Sequence, residues 1–127
     1  MKGILILCGT ILLAGIVFLA VYLTRPDRYG GEFQGAILVE AKELIASPEK
    51  YVGKPVRVEG IVRKQCQSTG CYFFFQAGDS LLRIELGDVV TSLPKREGFF
   101  ARVEGELGKY GDGYQLYGRA VEFTKHR

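Results

Sequence analysis

The uncharged run from Gly3 to Leu23 (GILILCGTILLAGIVFLAVYL) constrains this chain more than any other feature in it. An α-helix rises 1.5 Å per residue, so about 20 apolar residues cross a hydrocarbon core of ~30 Å. The run exceeds the apolar core of an ordinary secretory leader, and no small-x-small cleavage site succeeds it, which favours a retained anchor over a removed peptide. Lys2 and the α-amine flank one side and Arg25 and Arg28 the other. The short leading tail is expected in the cytoplasm and the rest of the chain on the periplasmic, extracytoplasmic side. Residues 3 to 23 are thus expected to contact lipid, with Tyr22 at the interface, and Cys8 is a thiol within the apolar run.

Beyond the anchor the chain has room for one small domain. Of 127 residues, 1–24 are assigned to the anchor, 25–35 to a linker and 36–127 to the domain. Removing 1–24 takes away only Lys2, leaving 16 basic against 14 acidic side chains, a net +2. That balance lacks the basic excess that phosphate-backbone binding needs, so nucleic acid is not an expected partner. Residues 25–35 (RPDRYGGEFQG) combine Pro, adjacent glycines and mixed charges without apolar periodicity and read as a tether.

The pattern then changes twice. Ile37, Leu38, Ala41, Leu44 and Ile45 recur at helical spacing, predicting one short amphipathic helix that Ser47 and Pro48 stop. Ser47 is expected to cap a further turn through Tyr51, which Gly53 ends. From Lys54 onward the period is two. Val56, Val58, Gly60 and Val62 alternate with Arg57, Glu59, Ile61 and Arg63; residues 72–76 and 80–86 predict a hairpin about Ala77 to Asp79; residues 99–107 and 114–123 supply two more strands. A short helix before five strands predicts a mainly β, five-stranded OB-type barrel, with Gly60 and Gly105 letting strands bend. A small open β-sandwich is the alternative.

Between the first two strands lies the segment with the most chemistry. Cys66 and Cys71 flank Gln67, Ser68, Thr69 and Gly70. Three readings compete: a structural disulfide in an oxidising compartment, two thiolates gripping copper or half of a zinc site, and a redox-active pair. The disulfide is the expected state, and with it no cofactor. Tyr72, Phe73, Phe74 and Phe75 come next, so Tyr72 and Phe74 share one face of a strand and Phe73 and Phe75 the other. One pair belongs to the core. The other is a candidate partner surface together with Gln67, Ser68 and Thr69, unless the preceding helix covers it.

No catalysis is expected. His126 is the sole histidine and stands at the far end of the chain, and no nucleophile elbow or phosphate-binding glycine loop is present. Glu104 and Glu106 are two apart on a strand, where solvent exposure explains them.

The segments Gly53-Lys54-Pro55-Val56-Arg57-Val58-Glu59-Gly60-Ile61-Val62 and Cys66-Gln67-Ser68-Thr69-Gly70-Cys71-Tyr72 resemble an uncharacterised family of exported bacterial OB-fold domains with a Cys-Gln-x-x-Gly-Cys-Trp loop, Tyr72 standing where that family carries Trp. The resemblance implies fold and compartment. A weaker likeness is to the membrane-anchored haem chaperone of cytochrome c maturation, whose rhythm is echoed by Leu93-Pro94, Glu97-Gly98, Val103-Glu104-Gly105 and the terminal Lys125-His126. It implies haem attachment at His126. The expected function is an anchored accessory module that docks a partner protein or small ligand. The alternatives are a metal or haem carrier using Cys66, Cys71 and His126, and a structural subunit of a larger membrane complex.

Overall fold

A computed structural model describes residues 2–24, 27–68 and 71–125. Helix α1 runs from Lys2 to Thr24 and is long and apolar enough to cross a membrane. None of its described side chains is buried. A helix apolar on all sides cannot be satisfied by one contact stripe, and water is a poor solvent for it.

The domain is built from β1 (Asp27–Gly30), β2 (Ile37–Leu38), α2 (Ala41–Ala46), a 3-10 turn (Pro48–Lys50), β3 (Pro55–Arg63), β4 (Tyr72–Ala77), β5 (Ser80–Glu85), β6 (Phe100–Tyr110) and β7 (Gly113–Thr124). Five strands close a ring. Strand β3 pairs antiparallel with β4, β4 with β5, β6 with β3 and β7 with β6, while β5 and β7 complete the circuit in parallel. This mainly β order is consistent with an OB-like fold.

Inside the ring the two-residue period sorts the side chains as expected. Val56, Val58 and Val62 of β3 and Phe73 and Phe75 of β4 are buried. Gly60 leaves room for a neighbour: a Cβ there would stand 3.0 Å from the Phe75 ring. Leu44 of α2 is fully buried, closing the core from one side. Tyr51 donates its hydroxyl to Glu43, tying the 3-10 turn to α2.

The structure departs from the sequence expectations in several places. First, Ile37 and Leu38 belong to an exposed edge strand that pairs in parallel with Val56 and Arg57, so the helix starts only at Ala41. Ser47 precedes the 3-10 turn but makes no side-chain cap. Second, part of the segment expected as a tether joins the sheet: Asp27 to Gly30 pair with Phe123 to Ala120 of β7. Third, Glu104 is fully buried whereas Glu106 is exposed.

Both glutamates do face outward from the ring, but residues 34–36 lie across Glu104. Its Oε1 accepts the Gln34 N–H at 2.7 Å and an Arg119 N–H at 2.9 Å, and its Oε2 accepts the Ala36 N–H at 3.0 Å. Arg119 reaches this position because it is the extra residue of a β-bulge. Glu104 pairs with Ala120 but Gly105 pairs with Gly118.

Candidate functional site

Strand β3 leaves its regular pairing at Lys64. Arg63 still stands opposite Phe74, yet the next backbone bond joins the Cys66 N–H to the Tyr72 carbonyl at 3.0 Å. Three residues on one strand are therefore matched by two on the other, and Lys64 absorbs the difference with a left-handed φ of 42°. A side-chain-bearing residue held there costs on the order of 1–2 kcal/mol. Such strain persists only where the surroundings over-determine it.

Gln65 supplies that determination. It is buried, its Nε2–H donates to the Pro94 carbonyl at 2.9 Å, and its Oε1 accepts the Arg96 N–H at 2.6 Å. Its own backbone N–H donates to Glu97 Oε1 at 2.8 Å. The cysteine-bearing loop is thereby bolted to the 94–97 loop. Arg96 in turn bonds Asp27 Oδ2 at 2.9 and 3.0 Å and lies over the Phe99 ring, so the start of β1 belongs to the same assembly.

Between these loops lies an open depression lined by Lys64, Gln65, Cys66, Gln67, Ser68, Tyr72, Phe74 and Glu97. A smaller depression that shares Gln65, Cys66, Gln67 and Glu97 with it is also lined by Lys95. Tyr72 and Phe74 share the outer face of β4, half-buried, their rings edge-on at 6.2 Å. Arg83 on β5 stands opposite Phe74, and its guanidinium lies 4.0 Å from the Tyr72 ring centroid and 4.7 Å from that of Tyr110. This cation–π sandwich stiffens the aromatic wall. One wall is thus apolar and rigid, and the opposite rim is polar, with two lysines and one glutamate.

One of the two cysteines, Cys66, lines this depression. Both are thiols in the structure, each half-buried, and Cys66 Sγ lies 3.3 Å from Ser68 Oγ. Cys71 is held through its carbonyl, which accepts the Leu86 N–H at 2.8 Å and continues the β4–β5 ladder. Of the residues expected at the site, Cys66, Gln67, Ser68, Tyr72 and Phe74 come together on the depression, and Cys71 is not among its lining residues. Thr69 and His126 lie outside the described residues. Among the described residues, no group of three or more His, Cys, Asp or Glu side chains gathers as a metal site.

Sequence reasoning missed Gln65, Glu97 and Arg96, which build the site without being chemically conspicuous. Their trace in the sequence was the Leu93-Pro94 and Glu97-Gly98 rhythm. In this structure Pro94 and Glu97 are the partners of Gln65.

No family model matches the chain, and no curated protein matches it. Among solved structures it is similar to the hypothetical protein ygiW from E. coli, at 13% identity and a TM-score of 0.47, covering 74% of this chain and 99% of that one.

Proposed function

We propose that this protein is a single-pass, membrane-anchored binding module, an extracytoplasmic OB-type barrel of the exported kind with the Cys-Gln-x-x-Gly-Cys loop. Its site is the depression between that loop and residues 94–97, and its ligand is a segment of a partner protein. One observation carries the reading: a braced, half-exposed aromatic wall, Tyr72 and Phe74, faces a polar rim of Lys64, Gln67, Ser68 and Glu97 across an open depression. Rigid aromatics beside charged groups are what interface anchors are made of. A peptide offering an apolar side chain to the wall and hydrogen-bonding groups to Gln67, Ser68 and Glu97 fits this distribution.

In an oxidising compartment, exchange with a disulfide-bearing oxidant joins Cys66 to Cys71 while the oxidant leaves as a dithiol, and the new disulfide closes the loop as a fixed wall. Fixing a loop in its bound shape strengthens binding by lowering the ordering cost.

A photo-crosslinking residue at Gln67 in the full-length protein in native membranes tests the site. It is expected to give one discrete protein adduct, and the same residue at exposed Asp112 in the β6–β7 turn none. Phe74→Ala should weaken the Gln67 adduct about thirtyfold, the equivalent of a hot-spot loss of about 2 kcal/mol. Equal labelling from both positions, or an adduct indifferent to Phe74→Ala, would rule out this site.

A further inference from the structure

Four stretches of the domain meet at one pole. The Val62 N–H bonds the Phe99 carbonyl at 2.9 Å and the Gly98 N–H bonds the Val62 carbonyl at 3.0 Å, joining the end of β3 to the loop before β6. Phe100 pairs with Thr124, and Phe123 with Asp27, which brings in the end of β7 and the start of β1. Helix α1 ends at Thr24, only three residues before Asp27. Three residues of chain span at most about 11 Å. The pole that carries the cysteine loop is therefore the pole at which the chain leaves α1.

Charge is distributed unevenly about this axis. Residues 27–28, 62–68, 86–99 and 122–125 hold six basic against four acidic side chains, a net +2, while residues 29–61, 71–85 and 100–121 hold eight against ten, a net −2. Two of the polar cations are neutralised in place, Arg28 by Glu122 at 2.8 Å and Arg96 by Asp27 at 2.9 Å. Arg63, Lys64, Lys95 and Lys125 are exposed, and none forms an ion pair among the described residues.

We infer that this pole rests on the bilayer, with Arg63, Lys64, Lys95 and Lys125 contacting anionic phospholipid headgroups of the leaflet where α1 ends. The inference rests on the reading of α1 as a membrane span. Each cation near an anionic surface favours docking about fivefold, and the tether has already removed most of the cost of bringing domain and lipid together. The aromatic wall runs up the outer face of β4, so the partner segment is met at the membrane surface and slides in beside the lipid.

The chain contains no tryptophan, so single reporters can be placed cleanly. Full-length Tyr22→Trp, Ser68→Trp and Asp112→Trp proteins would be reconstituted in phosphatidylcholine nanodiscs with or without phosphatidylglycerol, each disc carrying a headgroup nitroxide quencher. Tyr22→Trp should be quenched in both discs and Asp112→Trp in neither. Ser68→Trp should be quenched only with phosphatidylglycerol, and 1 M salt, which shortens the screening length to ~3 Å, should reverse it. Lys64→Gln and Lys95→Gln should each lower the docked-to-free ratio about fivefold. Equal Ser68→Trp quenching in the two discs, with Tyr22→Trp quenched, would overturn this inference alone. An unquenched Tyr22→Trp would overturn the membrane span and the inference together.

Discussion

Glu104→Ala is expected to lower the melting temperature of the domain by of order 20 °C, while Glu106→Ala, two residues along the same face of β6, leaves it nearly unchanged. The Glu104 carboxylate is fully buried and receives two backbone N–H groups and the Arg119 guanidinium. Truncation strands all three donors at once, and Arg119 already has a buried Nε–H without a partner. Removing one member of a fully buried charged pair costs about 3–5 kcal/mol; Arg119 is 32% exposed, which places the loss near the lower end, and each kcal/mol moves the midpoint of a domain this size by roughly 4–8 °C. Glu104→Gln keeps the shape and part of the hydrogen bonding, so it should fall between the two. Glu106 is exposed, and its loss should stay within about 0.5 kcal/mol. Thermal unfolding followed by tyrosine fluorescence in mild detergent distinguishes these outcomes. Equal midpoints for Glu104→Ala and Glu106→Ala would show that residues 34–36 do not cover the carboxylate.

The second large effect contrasts neighbours on β4. Phe73→Ala should destabilise by about 3–5 kcal/mol, because its ring is fully buried and packs 5.4 Å from Phe75 and 5.9 Å from Phe123. Phe74 points to the outer face, where its loss should cost about 1 kcal/mol or less while abolishing most partner capture. Denaturant midpoints measured alongside crosslinking yield from Gln67 separate stability from binding. If Phe74→Ala destabilised as much as Phe73→Ala, the outer aromatics would belong to the core and the wall would not be a binding surface.

These contrasts also mark what the sequence could and could not reveal. Alternation along β3 and through Tyr72 to Phe75 identified inward and outward faces correctly, because side-chain direction in a strand depends only on parity. Parity is silent on what lies beyond the outward face, and for this reason Glu104 was expected in solvent. The segment that covers it, residues 34–36, has no periodicity to read: it connects β1 and β2, which are held to β7 and β3 by backbone pairing. Ile37 and Leu38 fit a helical pattern and an edge strand equally well, and a partner strand decided between them. Within the site, the cysteines and aromatics were legible by residue type. Gln65 was not, since its role depends on Pro94, Arg96 and Glu97 some thirty positions away.

The measurement that bears most directly on the site is intact mass after alkylation of the full-length protein, purified in mild detergent without reductant, with an absorption spectrum and elemental analysis of the same sample. A closed binding wall predicts one alkylated thiol at Cys8, a disulfide between Cys66 and Cys71, and no bound metal or haem. Three alkylated thiols together with stoichiometric copper, zinc or haem would contradict it and make the cysteine loop part of a cofactor carrier.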